Sequence, residues 1–376
     1  MVRLPLKPHF RSRKARKCNV CPQSDRLCGQ TLIIKNHNLL MSSIVLVLAL
    51  VFAFAIAFTT CSNPAGPDED GFTEDTSTQD TAWYDNAAPG QTEFTISAAD
   101  ELAGLAKLVN DGNNFLGKTV KLLNNLDLSD YGAGKSFNDG KGWMPIGYNY
   151  YYRRFNGEFN GNSKAITGLS INNVGDSDYQ DLFGTIDSKG VVKNLLLDDV
   201  NIISSKADVG GVAGYNYGGK VVNCYASGSV EGIQSIGGIV GQLGGKGEVV
   251  NCYAAGDIIC TEYLFGGIVG NIMDGSVVMN CVALNDGISG GIYEGRIVGY
   301  ISGIKYGTSN NYGRVNIPGG IWSMGSIILN GADISPSGAE NTQEWWANGA
   351  TDDPPGPGFN FVNVWKMGEN SLPVFK

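Results

Sequence analysis

Histidine is almost missing from this sequence. The 376 residues include two, His9 and His37, and both precede an apolar run at residues 44–58. Beyond that run there is none. Ser-His-Asp triads, Cys-His dyads and His-ligated metal centres are therefore excluded from the exported part of the chain. Charge is also scarce, at 17% of residues, against about 25% in an average globular domain. No Asp-x-Asp-x-Asp-Gly loop and no nonapeptide calcium repeat occurs, so no metal and no cofactor is predicted. What is abundant is glycine, with 53 residues. That is roughly twice the usual share, yet it lacks the three-residue period of collagen.

The charge is divided unevenly along the chain. Residues 1–40 hold nine Lys or Arg and one Asp, whereas the chain from Cys61 onward holds 18 basic and 35 acidic residues, a net of −17. A domain this acidic lacks the basic face that phosphate binding needs, which excludes nucleic acid as a partner. It suits a solvated, exported protein.

Ile44 to Phe58 is fifteen consecutive apolar residues followed by Phe58-Thr59-Thr60-Cys61. Fifteen fits a signal-peptide core and falls short of the ~20 residues a bilayer-spanning helix needs. The segment resembles the end of a bacterial lipoprotein signal peptide. That resemblance implies lipidation at Cys61, a lipid anchor, and a place in the cell envelope, on the outer surface. An uncleaved signal anchor, or cleavage near Thr60, is the other reading of the same residues. Residues 1–60 are thus a basic leader and signal peptide. Cys18, Cys21 and Cys28 lack a second well-spaced pair for zinc. A true start near Leu32 would leave residues 1–31 untranslated. Residues 61–91 are acidic and proline-containing, and read as a disordered tether. Trp83 and Tyr84 are expected to be the first residues to touch the folded domain.

An internal period sets the architecture. Asn194, Asn223, Asn251, Asn280 and Asn311 recur about every 29 residues, an interval typical of repeat folds. A second marker keeps step: Gly210-Gly211-Val212-Ala213-Gly214, Gly237-Gly238-Ile239-Val240-Gly241, Gly266-Gly267-Ile268-Val269-Gly270, and a decayed Gly295-Arg296-Ile297-Val298-Gly299. Short β-type runs lie between glycine turns, with no helical periodicity among these units. The expected fold is all-β, a right-handed parallel β-helix or solenoid of roughly 28–29-residue coils spanning residues 92–376 as one domain. Glycines are expected to supply positive φ at the corners. Alternation in Val250-Asn251-Cys252-Tyr253-Ala254 would put Val250, Cys252 and Ala254 inside. Cys224, Cys252 and Cys281 then form a buried, reduced column, because side chains on neighbouring strands stand ~4.8 Å apart, farther than a disulfide allows. The Asn side chains sit at a bend and can bond from coil to coil. A short helix near Ala98–Asn110, with a capping-box start at Ser97 to Glu101, would cap the N-terminal end of the stack.

These units, G-[IV]-[VA]-G followed by N-C-Y-A, resemble the GLUG motif of bacterial surface proteins, with repeats at about 207–313. The segments upstream, including Trp143-Met144-Pro145-Ile146-Gly147 and Phe155-Asn156-Gly157, and the tail at Val364 to Lys376 resemble that family too. The resemblance implies an exported β-solenoid, often part of a larger adhesin, and no chemistry. The motif also accompanies zinc proteases that cleave immunoglobulin A, but their His-Glu-x-x-His helix is absent here.

Two kinds of site remain. Tyr150, Tyr151, Tyr152, Arg153 and Arg154 form the densest aromatic and basic run in an acidic domain, suited to a glycan or a host or neighbour surface. Tyr225 and Tyr253 occupy matching repeat positions and should stack on the outer face. The alternative is a carbohydrate-active β-helix enzyme built on carboxylates. Asp198-Asp199 and Asp127 with Asp130 are its candidates, yet nothing repeats around Asp198-Asp199 to mark a groove. The expectation is a monomeric, non-catalytic binding protein.

Overall fold

A computed structural model describes residues 78–376, apart from 149–151, 174–177, 274, 304–305, 318–326, 335–337, 354 and 370–371. The leader, Cys61 and most of the tether lie outside the described residues.

Parallel strands stack coil upon coil. Equivalent strands begin at Glu93, Thr119, Glu158, Val191, Lys220, Glu248, Val277 and Gly307, each paired in parallel with the next. From Val191 onward these starting points are almost evenly spaced. Earlier steps are less regular, and the longest accommodates the turns and aromatic run between residues 128 and 157. A second five-stranded parallel sheet closes the opposite side, running through Phe183–Ile186, Ala213–Tyr217, Val240–Gly244, Val269–Met273 and Val298–Ser302. This is a parallel β-solenoid of about seven turns.

Its core is a set of columns. Val192, Val221, Val249 and Val278 are in register and fully buried. Leu195, Cys224, Cys252 and Cys281 form the next column, and all are buried. The three cysteines are free, and each thiol lies near a carbonyl oxygen of its own coil at 3.3–3.4 Å.

Val250 does not join this interior, contrary to the alternation expected; it is half-buried, and Val249 points inward instead. The reason is Asn251. Its φ is 54°, and Asn194, Asn223, Asn280 and Asn310 share that left-handed conformation. One left-handed residue per coil turns the strand and resets which side chains face in. The corner column thus passes through Asn310, whereas its neighbour Asn311 donates from Nδ2 to the Val278 carbonyl at 2.9 Å. Asn tolerates this region better than other residues that carry a Cβ. Its amide also bonds along the stack: Asn194 Nδ2 donates to Asn160 Oδ1 (3.2 Å), Asn223 to Asn194 (3.1 Å), Asn251 to Asn223 (3.2 Å), Asn280 to Asn251 (2.9 Å) and Asn310 to Asn280 (2.9 Å).

Gly218, Gly228 and Gly256 supply positive φ at corners as expected, but the Gly-Gly pairs of the repeat serve a different purpose. Gly211, Gly238 and Gly267 do not have positive φ. They are small because the next coil lies against them. A Cβ on Gly211 would stand 2.5 Å from the Gly238 carbonyl oxygen, one on Gly238 2.2 Å from that of Gly267, and one on Gly267 2.2 Å from that of Arg296. Arg296 holds the same place in the last such unit. Its guanidinium is buried, donates to the carbonyls of Gly313 (3.1 Å), Arg314 (3.0 Å) and Gly331 (3.4 Å), and pairs with Asp333 at 2.7 Å. What reads as decay in the sequence is a staple between the last coils.

Both ends are covered. The strand Glu93–Ile96 is paired only with Thr119–Leu122 among the described residues. The helix Ala99–Asn110 follows it and buries Leu102, Leu105, Ala106 and Val109 in the same core. Its start is held by the Glu101 carboxylate, which accepts from the Ser97 and Ala98 amides, while the Ser97 hydroxyl donates to Glu101 instead of capping the helix. The folded part begins earlier than residue 92. Thr78 accepts a bond from Tyr131, and Trp83 and Tyr84 pack on Phe94 and Phe115. At the other end, the last coil pairing among the described residues is that of Ala332–Asp333 with Tyr312–Gly313. Residues 338–376 form short helices and an antiparallel hairpin, Trp365–Met367 with Pro373–Phe375, in place of further coils. Trp345, Trp346, Phe359, Trp365 and Phe375 pack this tail onto Tyr253, Val282 and Tyr312, in a second apolar core outside the coil interior.

Candidate functional site: a carboxylate-lined groove

The groove arises from a second bend. At this bend Gly228 and Gly256 have φ of 111° and 118°, and the preceding coil takes a register shift beside Asp199, whose φ is 57°. A Cβ on Gly228 would meet the Val200 carbonyl oxygen at 2.1 Å, and one on Gly256 would meet that of Gly228 at the same distance. The absence of side chains at residues 228 and 256 leaves an open floor. Around it lies a cavity of about 560 Å³, lined by Asp199, Tyr225, Ser227, Ser229, Asp257 and Asp286 among others, none of them basic.

The lining draws on four successive coils. Asp199, Asp257 and Asp286 are exposed. Ser227 donates from Oγ to Asp198 at 2.6 Å and accepts from the Asp199 amide at 3.1 Å, which ties the Asp198-Asp199 pair to the next coil. Burial pushes the Tyr225 phenol above its usual range, with the Asp198 and Asp286 carboxylates adding to the effect and the bond to Ser227 opposing it. The hydroxyl therefore stays protonated at neutral pH. Arg314 approaches Asp286 at 3.9 Å from outside the lining. Asp198-Asp199 thus does border a groove, although no such groove was expected around it. Asp127 does not; its carboxylate accepts from the Ser129 amide in a local turn.

Tyr225 and Tyr253 stack with ring centroids 4.4 Å apart, but they do not share an exposed face. Tyr253 is 1% exposed because the tail covers it, and its hydroxyl donates to the Pro373 carbonyl. Tyr253 is a structural residue, which removes it from the ligand-binding candidates. Tyr225 remains half-buried at the wall of the groove.

Tyr150 and Tyr151 lie outside the described residues. Tyr152 is 85% exposed. Arg153 lies over the Tyr148 ring at 5.2 Å and bonds its hydroxyl, and Arg154 pairs with Asp187 at 3.3 Å and lies over the Tyr217 ring at 4.7 Å. Both guanidiniums are held by the protein's own rings and carboxylate.

Two further carboxylates are buried at another corner. Asp181 is fully buried; its Oδ1 accepts from the Gly210 amide and its Oδ2 has no partner in the protein. Burial, reinforced by Asp208, raises its pKa well above the usual carboxylate range. Asp208 has φ 59° and is pushed up to about 7 by burial, with Asp178 adding to the effect and Ser235 opposing it.

Residues 207–231 and 232–259 match the family model for the GLUG motif, and the chain carries two copies of it there. Over 128 residues, a third of this chain, it is 37% identical to a protein of Evansella cellulosilytica described as a candidate Gly-rich membrane protein. Over 118 residues it is 35% identical to halomucin of Haloquadratum walsbyi. The aligned regions span 13% and 1% of those two proteins. A crystal structure of a candidate immunoglobulin A1 protease from Bacteroides ovatus aligns with a TM-score of 0.49 and 19% identity, over 76% of this chain and 92% of that one.

Proposed function

We propose that this protein is a surface-displayed, non-catalytic binding or adhesion protein of the cell envelope, exported through its apolar leader, anchored through Cys61, and making contact through the groove beside Tyr225. The observation that carries this reading is a cavity whose acceptors come from four rigidly registered coils. A solenoid presents such groups at fixed spacing with little ordering cost on binding. Names given to the matched relatives, a membrane protein and a halomucin, agree with an envelope location.

A second reading has one observation in its favour. Asp199, Asp257 and Asp286 share one groove, on the first, third and fourth of its four coils, and are the residue type that β-helix polysaccharide-cleaving enzymes use. Against it, a general acid of that chemistry sits in an apolar pocket, and all three carboxylates are exposed. Screening the protein on a glycan array, with release of reducing ends measured on every ligand retained, separates the two. Retention without cleavage is expected. Cleavage that disappears in Asp257→Asn would replace binding by hydrolysis.

A further inference from the structure

The corner that holds Asp181 and Asp208 is built differently from those of the later coils, and it takes no part in the groove. Where the next coil has a paired strand, Ala207–Gly210, residues 178–182 form none. Long bonds join them to that strand, from the Tyr179 amide to the Ala207 carbonyl (3.4 Å) and from the Ala207 amide to the Asp178 carboxylate (3.3 Å). Tyr179 is held at φ 65°, a conformation that an aromatic residue rarely adopts. A segment attached in this way opens locally more readily than the ladder beside it.

What closes it is the Asp181 carboxyl. Its Oδ1 accepts from the Gly210 amide of the next coil, and its buried Oδ2 receives no donor. A Cβ on Gly214 would stand 2.3 Å from Oδ2, 2.6 Å from the Asp208 carbonyl oxygen and 2.7 Å from the Tyr179 α-carbon. An acceptor enclosed beside another acceptor needs a positive charge. Gly214 fills the space around these atoms, which suits a proton better than a metal ion, and no three metal-ligating side chains converge among the described residues. Asp178 and Asp208 are the charged groups that bear on this corner, Ser235 bonds Asp208 from the coil beyond, and none of the charges is basic. Tyr179 and Tyr215 are the neighbouring phenols. Burial first, and mutual repulsion after it, disfavours the ionised carboxyls.

We infer that this corner is a proton-operated latch: protonated Asp181 holds residues 178–182 closed on the next coil, and loss of that proton to water frees the segment while the solenoid stays folded. The carboxylate left behind repels Asp208 and withdraws from Gly210. The Tyr179 ring, stacked 6.1 Å from that of Tyr215, lifts with it. Tyr215 is 2% exposed in the closed form and becomes accessible beside the exposed Tyr217, 5.6 Å away. The closed form holds its protons more tightly than the open one, so closure is favoured at low pH and lost as pH rises through and above the value of about 7 for Asp208.

The test is amide hydrogen exchange of the full chain between about pH 5.5 and 8.5, corrected for the intrinsic rate. It is read at Gly210 and at Val240, whose amide bonds the Ile268 carbonyl in the adjoining ladder. Protection of Gly210 is expected to fall by up to about tenfold per pH unit above neutrality while that of Val240 stays constant. Asp181→Asn, whose amide donates where the proton would, should hold Gly210 at its low-pH protection throughout. At pH 8, tetranitromethane should nitrate Tyr215 severalfold faster in the native protein than in Asp181→Asn. Gly210 and Val240 falling together means unfolding of the whole stack and overturns the latch. Protection of Gly210 that does not change with pH, or a fall that persists in Asp181→Asn, overturns the Asp181 proton as its control. Protection restored at pH 8.5 by calcium chloride overturns the proton in favour of a cation, and equal nitration of Tyr215 overturns its uncovering. The native protein alone decides between latch and global unfolding, whatever the stability of the variant.

Discussion

The Tyr225 ring lies 4.4 Å from that of Tyr253, with the planes 27° apart, and Tyr253 is in turn 5.9 Å from Trp365. The tail hairpin thus reaches the groove wall through one buried tyrosine. Trp365→Ala is expected to cost about 3–5 kcal/mol, the usual range for emptying a buried tryptophan site. It should also weaken any groove ligand in the fraction that remains folded. Urea unfolding and ligand titration on the same sample check this. Loss of stability with unchanged affinity would show that the stack does not position Tyr225.

Asn251 combines two tasks that two substitutions separate. Glycine keeps the left-handed turn and removes the bonds to Asn223 and Asn280. Alanine removes the bonds and opposes the turn. Asn251→Gly is expected to cost about 1–2 kcal/mol, and Asn251→Ala about 1–2 kcal/mol more. Equal losses in chemical denaturation would mean that the backbone conformation contributes nothing.

The glycine column predicts opposite tolerances at matching positions. Gly238→Ala places a methyl 2.2 Å from the Gly267 carbonyl oxygen, so coils must separate; large destabilisation or failure to fold is expected. Arg296→Met is accommodated sterically but strips donors from three carbonyls, two of them in bonds formed where the guanidinium is fully enclosed. A loss of about 2–4 kcal/mol is expected. Melting of purified variants decides, and a well-folded Gly238→Ala would refute the packing explanation.

Asp208 and Asp181 make the fold sensitive to pH in an unusual direction. Their folded pKa values are raised, so the folded state holds protons that the unfolded chain has released. Such a contribution is present below the unfolded value near 4 and is lost as pH rises through about 7 for Asp208. Replacing Asp208 by Asn removes the titration while keeping the left-handed conformation. The stability of Asp208→Asn relative to the native protein should therefore rise by a few kcal/mol between pH 4.5 and pH 8. A constant difference in urea unfolding across that range would show that Asp208 does not titrate there.

Much of this fold is visible in the chain because a solenoid writes its geometry as a period. The Asn and Cys columns follow from one recurring interval. The role of the Gly-Gly pairs does not follow, since the atom each one avoids belongs to the next coil and sequence spacing alone cannot tell close approach from the positive φ that Gly228 and Gly256 do supply. Tyr253 misleads for a different reason. It is covered by residues some 120 positions away, and no periodicity reports that contact. The groove was legible in part. Asp199, Asp257 and Asp286 are separated by whole multiples of the repeat interval, but attention to Asp198-Asp199 as an isolated pair hides that relationship.

The groove as the point of contact is tested most directly on cells. Display of the full chain, native and with Asp199→Asn, Asp257→Asn and Asp286→Asn combined, at equal surface density, allows adhesion to a glycan-coated surface to be compared. The native chain should adhere and the triple variant should not, with both folded to the same melting temperature. Undiminished adhesion by the triple variant would contradict the groove as the site of binding.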